Sequence, residues 1–203
     1  MKIFVLTTFA CLFLSCTRLL FFYEGVRKPE LETPEHLQKF LIRKEIDTTE
    51  LLCFEDTSAL YRFYTQKIGF PEARFFNRKR QMVDYREKPS DCNARVFTFM
   101  EKMDRINDLP ADSTKPLDSF ICDLAYVKDL RPFQLETNEY DIYLVMYWAK
   151  WLGKVNKRKI FEWEKLAIQA KDKGLNIRVI KINADFQQSW GITKEQMPVF
   201  DFF

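Results

Sequence analysis

The sequence predicts an α/β fold, and three observations carry the prediction. Residues 142–148, Ile-Tyr-Leu-Val-Met-Tyr-Trp, form an unbroken apolar run of strand length, rich in β-formers, as a strand covered on both faces requires. The run opens into Lys-Trp-Leu-Gly-Lys at 150–154 and then a helical stretch to about Lys173, with Ile160, Trp163, Leu166, Ala167 and Ala170 on one face and Gly174 as its cap. A second apolar strand follows at 176–182, and this strand, helix, strand order joins parallel neighbours through a right-handed crossover.

Composition supports a packed core over disorder: 47% of the 203 residues are hydrophobic, including 20 Phe, 8 Tyr and 4 Trp. Thirty-two Lys and Arg nearly balance 29 Asp and Glu, for a net charge of +3, which is not the footprint of a nucleic-acid-binding chain. No nucleic-acid partner is expected. With His36 as the single histidine, in a polar helix start, no metal site and no cofactor is called for.

Residues 1–16 place Lys2 before an apolar core of signal-peptide length that ends in Leu14, Ser15 and Cys16. This resembles a bacterial lipoprotein signal of the loose Bacteroidetes type, although Leu14 departs from the commoner small residue there. The resemblance implies cleavage before Cys16, lipidation of that thiol and anchoring in the cell envelope, facing the periplasm or exterior. An uncleaved anchor and simple secretion are the alternatives, and each also places the remaining chain outside the cytoplasm.

Residues 17–33 read as a tether. Thr33 and Pro34 then suit the cap and first position of a helix carrying Leu37, Phe40 and Leu41. Residues 34–135 are expected to form an α+β N-terminal region. After a short apolar piece at 50–54, Leu60, Phe63, Tyr64 and Ile68 mark a helix over 57–68. A hairpin follows, with strands at 73–77 and 81–85 and a basic tip at 78–80. Val96, Phe99, Met100, Met103 and Ile106 form one helical stripe, and Cys92 falls in its first turn, where the helix dipole favours thiolate. Cys92 is therefore the candidate reactive thiol, with a disulfide or plain packing as its alternatives. Residues 109–116 read as a polar linker, and a helix carrying Leu117, Phe120, Ile121, Leu124 and Leu130 follows.

From 136 to 203 the chain resembles the thioredoxin-like family. In that family a buried strand ends in Phe/Tyr-Trp-Ala-x-Trp-Cys-x-x-Cys, a long helix follows, a second strand ends near an acidic residue, and a later strand is entered through a cis-proline. Tyr147, Trp148, Ala149, Lys150 and Trp151 match the approach. Residues 180–185, Ile-Lys-Ile-Asn-Ala-Asp, match the second strand, while Trp190, Gly191 and Ile192 followed by Met197 and Pro198 match the cis-proline loop. The family's cysteines are replaced by Leu152 and Val155, giving the degenerate motif Trp151, Leu152, Gly153, Lys154, Val155. Disulfide exchange needs one thiolate to attack and a second thiol to resolve, so dithiol chemistry at this site is excluded.

The resemblance then implies a redox-inactive binding or scaffold module, with Trp151, Leu152, Met197 and Pro198 lining whatever groove survives for a peptide or protein partner. The alternatives are a single-thiol protein using Cys92 and a structural subunit that pairs through an open sheet edge near its C-terminus. Lys150, Lys154, Lys157, Arg158 and Lys159 crowd one helix start, as a solvated basic face or an anion site. If Cys16 is lipidated, Cys53, Cys92 and Cys122 permit one disulfide, and which pair forms is not readable.

Overall fold

The computed structural model describes residues 23–66, 70–88, 91, 93–136 and 139–197. Its strands in chain order are β1 (Leu31–Glu32), β2 (Leu52–Phe54), β3 (Glu72–Asn77), β4 (Gln81–Val83), β5 (Asp112–Pro116), β6 (Leu124–Tyr126), β7 (Ile142–Trp148), β8 (Ile177–Asn183) and β9 (Phe186–Gln187). The helices are α1 (Pro34–Ile42), α2 (Thr57–Thr65), α3 (Arg95–Met100), α4 (Asp118–Ile121), α5 (Lys154–Asn156) and α6 (Glu162–Asp172). A π-helical turn, Lys157–Phe161, joins α5 to α6.

Seven strands form one mixed sheet in the order β5-β4-β3-β7-β8-β2-β6. The α/β class expected from the sequence is what the chain adopts. At its centre β7 and β8 run parallel, in register from Ile142 opposite Ile177 to Trp148 opposite Asn183. β2 extends the parallel part beyond β8, whereas β3 lies antiparallel along β7 from Ile142 to Tyr147. All seven residues of β7 are buried. Alternation sends Ile142, Leu144, Met146 and Trp148 to one face, against α1, α3 and α6, through Leu37, Val96, Met100, Trp163 and Ala167. Tyr143, Val145 and Tyr147 face the other layer, with Leu60 and Phe63 of α2 and Ile121 of α4. A three-layer architecture follows from a central strand apolar on both sides.

The expected Thr33 cap and the β3–β4 hairpin are both present. The Thr33 side chain accepts from the His36 amide at 3.3 Å, and Asp56 accepts from the Ala59 amide at 2.8 Å to cap α2. The β3–β4 hairpin turns through Arg80 at φ 59°, held by the Asn77 side chain, which accepts from the Lys79 and Gln81 amides. The Phe70–Pro71 peptide just before β3 is cis.

Residues 34–135 and 136–203 contribute to one sheet, in which β2, β3, β4, β5 and β6 flank β7 and β8. Several expectations are corrected. The polar stretch read as a linker is β5, which pairs with β4. The helix read beyond 117 stops at Ile121, and Leu124 enters β6, antiparallel to β2. The stripe from Val96 to Ile106 divides into α3 and a 3-10 segment, Met103–Asp108. Residues 23–32, read as part of a tether, pack onto the loop after β7, and β1 pairs in parallel with β9. Residues 1–22 lie outside the described residues, and so do Cys16, Cys92, Pro198 and the C-terminal edge at 198–203. Among the described residues no helix is long and apolar enough to cross a membrane.

Candidate functional site

The carboxyl ends of β7 and β8 open side by side at Ala149 and Ala184, and ligands of open α/β sheets are characteristically held at such ends. Here that end carries a buried polar network. The Asp185 carboxylate, 1% exposed, accepts from the Lys150 amide at 2.6 Å and from Asn183 Nδ2 at 2.7 Å, both through Oδ2. Gln187 Nε2 donates to Asn183 Oδ1 at 2.8 Å and to the Asp185 carbonyl at 2.7 Å. Tyr64 reaches over from α2 and donates its hydroxyl to the Ala184 carbonyl at 2.6 Å.

The Lys150 ammonium turns back to Glu32 of β1, contacting Oε1 at 2.6 Å and Oε2 at 2.7 Å. Burial is the largest influence on Asp185 and pushes its carboxyl up to about 7; the Glu32 charge adds to that rise. The hydrogen bonds from Lys150 and Asn183, and the Lys150 charge, oppose it. Burial, reinforced by the Asp185 charge, also pushes the Tyr64 phenol well above its ordinary value. A tyrosine so placed stays a neutral donor.

Residues 151–155 follow directly on Lys150 of this network, and Tyr64 packs against them. Trp151 and Leu152 are buried, packed with Val26, Tyr64, Phe70 and Val155. The Trp151 and Phe70 rings stand 5.6 Å apart. Gly153 takes φ +56°, and a Cβ on it would come within 2.2 Å of the Gly25 carbonyl oxygen. The Arg27 amide donates to the Trp151 carbonyl at 2.9 Å, and Lys154 Nζ donates to the Tyr23 carbonyl at 3.0 Å with that tyrosine ring 4.8 Å away. Arg158 pairs with buried Glu24. Segment 23–32 is thus a strap across the very surface expected to form the partner groove.

Of the residues assigned from sequence, the structure brings together Trp151, Leu152, Gly153, Lys154 and Val155, and sets Met197 at the margin of the Ile180 and Ile182 cluster. Pro198 and Cys92 lie outside the described residues. Cys53 and Cys122 are free thiols; burial pushes Cys53 up to about 12, and burial with the neighbouring Asp123 also raises Cys122. Neither is a ready thiolate. No group of three His, Cys, Asp or Glu side chains suited to a metal ion occurs among the described residues.

Sequence reasoning missed Glu24 and Glu32. Their only signal is charge, and charge alone does not reveal burial when the partners Arg158 and Lys150 are more than a hundred positions away. No family model, no curated protein and no solved structure matches the chain.

Proposed function

We propose that this chain is a cell-envelope lipoprotein, anchored through a lipidated Cys16, whose thioredoxin-like portion is a redox-inactive binding or scaffold module. The observation that carries the reading is the loop after β7, where Leu152 and Val155 stand at the family's cysteine positions and Leu152 is 5% exposed beneath the strap. A side chain without a thiol, closed off from solvent, takes no part in thiol–disulfide exchange. Support for the thioredoxin-like reading comes from the order of the central strands. Parallel β7 and β8 are joined by a helix, β2 is parallel beyond β8, and β3 is antiparallel on the other side of β7.

The loop's role becomes architectural. It presents an apolar knob, Trp151 and Leu152, that gathers the strap, α2 and the segment before β3 into one surface. Two measurements test the reading on protein isolated from its own membrane. Mass spectrometry is expected to find acyl chains on an N-terminal Cys16, and an insulin-reduction assay is expected to show no turnover above background. An unacylated N-terminus elsewhere removes the anchor, and turnover that survives alkylation of the remaining cysteines removes the inactive module.

A further inference from the structure

Beside the strap lies a cleft of about 470 Å³ whose walls come from three separate parts of the chain. Phe40, Trp151 and Phe161 contribute its apolar surface. Its charged rim is strongly one-sided. Lys150 is neutralised by Glu32, which leaves Arg27 and Lys28 of the strap, Arg43 and Lys44 just after α1, and Lys154 and Lys157 of the loop and π-turn, with Glu30 as the one other carboxylate. Among the described residues Arg27, Lys28, Arg43, Lys44 and Lys157 form no ion pair.

Five uncompensated cations around one concavity repel one another, and two of the rim cations, Lys154 and Lys157, sit where a helix start disfavours positive charge. Arg43 and Lys44 follow the C-terminal end of α1, where the helix dipole welcomes cations. That accounts for one pair and not for its convergence with the other two. A multiply charged anion would relieve all three sets at once, and arginine forks with lysine point charges are the donor set that phosphate oxygens take.

We infer that this cleft is a binding site for a phosphate-bearing anion, held by Arg27, Lys28, Arg43, Lys44 and Lys157. The inference does not depend on lipidation of Cys16 or on a thioredoxin-like ancestry, since the cleft is defined by the folded strap and the basic loop. Two sources share the chemistry, a soluble phosphorylated compound and the headgroup phosphates of an anionic lipid surface.

The test uses the full chain in neutral detergent, with pyrophosphate as the soluble probe followed by titration calorimetry. A second arm measures sedimentation of the chain with phosphatidylcholine vesicles made with and without phosphatidylglycerol. Saturable pyrophosphate binding that weakens with added salt is expected. The pair Arg43→Glu with Lys157→Glu should weaken it at least roughly tenfold, the scale of lost charge-assisted hydrogen bonds. The control pair Lys171→Glu with Lys173→Glu, with the same charge change at the far end of α6, should leave it within about twofold.

Pyrophosphate binding with no phosphatidylglycerol-dependent vesicle binding assigns the soluble source. Vesicle binding that requires phosphatidylglycerol and that pyrophosphate competes away assigns the headgroup. No saturable pyrophosphate binding by the unmodified chain, or equal losses in the cleft and control pairs, overturns the site. An unchanged circular dichroism spectrum and melting temperature of the cleft pair without ligand separates a lost site from a lost fold. A pyrophosphate-dependent rise in melting temperature, present in the unmodified chain and absent from the cleft pair, gives a second readout.

Discussion

At Gly153 the backbone adopts φ +56°, and the strap's carbonyl oxygen at Gly25 fills the space where any Cβ would stand. The obstructing atom is main chain, so it cannot swing aside as a flexible side chain would. Gly153→Ala is expected to destabilise the protein by about 2 kcal/mol or more, combining the positive-φ cost with the lost close approach. It should also free the strap, seen as faster tryptic cleavage after Arg27. Unchanged urea stability together with unchanged cleavage would refute this account of the glycine.

Asp185 supplies a second residue-scale prediction. Its carboxyl rises from 3.8 to about 7 on folding, so between those values the native state holds a proton that the unfolded state has released. Stability from this group is therefore fully present below about pH 4 and is lost as pH rises towards 7. Since one pKa unit corresponds to about 1.4 kcal/mol, the loss near neutrality is of the order of a few kcal/mol. Asp185→Asn keeps an oxygen acceptor for the Lys150 amide and Asn183 Nδ2 and carries no charge to desolvate. It should flatten the stability profile between about pH 4 and 7 and exceed the wild type above that window, measured by urea unfolding. Parallel profiles for the two proteins would count against burial as the governing cause.

Among the elements, the loop between β7 and α5 decides whether thiols placed at positions 152 and 155 could react. Leu152 is buried under Val26 and beside Trp151, so a thiol placed there would be covered as well as poorly ionised. Leu152→Cys with Val155→Cys is expected to give a protein whose new thiols react with Ellman's reagent at least about tenfold more slowly in the native state than in urea, because reaction waits on local opening. Adding Gly153→Ala should narrow that gap by lifting the strap. Equally fast labelling of the native double variant would mean that the strap does not seal the loop. The elements most legible in the sequence were those with dense apolar pattern or plain punctuation: β7, β8, α2, and the β3–β4 hairpin with its basic tip. β5 was not legible because Asp112, Ser113, Thr114, Lys115 and Pro116 carry no apolar alternation. It is an edge strand, with Asp112 opposite Met82 and a bulge in the pairing. β6 was hidden for another reason: Leu117, Phe120, Ile121 and Leu124 keep helical spacing into a segment that β2 captures as a strand. Tertiary pairing overrode local period there.

For the molecule as a whole, the decisive fact is that β7 and β8, though adjacent in sequence to nothing but their own connecting helix, derive their outer partners from residues 52–54 and 72–77. The buried residues of β7 meet both apolar layers, and each layer draws Leu37, Phe75, Val96, Leu60 or Phe76 from the first half of the chain. A fragment of residues 136–203 would keep the β7–β8 ladder and α6 but lose α1 and α3 from one face of β7, α2 and α4 from the other, and every partner of its β3-pairing edge. An unpaired, flat and apolar edge of that kind associates with copies of itself before it folds alone. The fragment is accordingly expected to be unfolded or aggregated, with poorly dispersed amide resonances, whereas the full chain should lose its circular dichroism and its tryptophan fluorescence signals in one coincident urea transition. A soluble, cooperatively melting 136–203 fragment, or two separated transitions in the full chain, would show that the seven strands are two folding units sharing an edge. Coincident transitions would instead mean that the strap, the basic cleft and the buried Asp185 network assemble together, so that a substitution in any one of them is read out in the stability of the whole sheet.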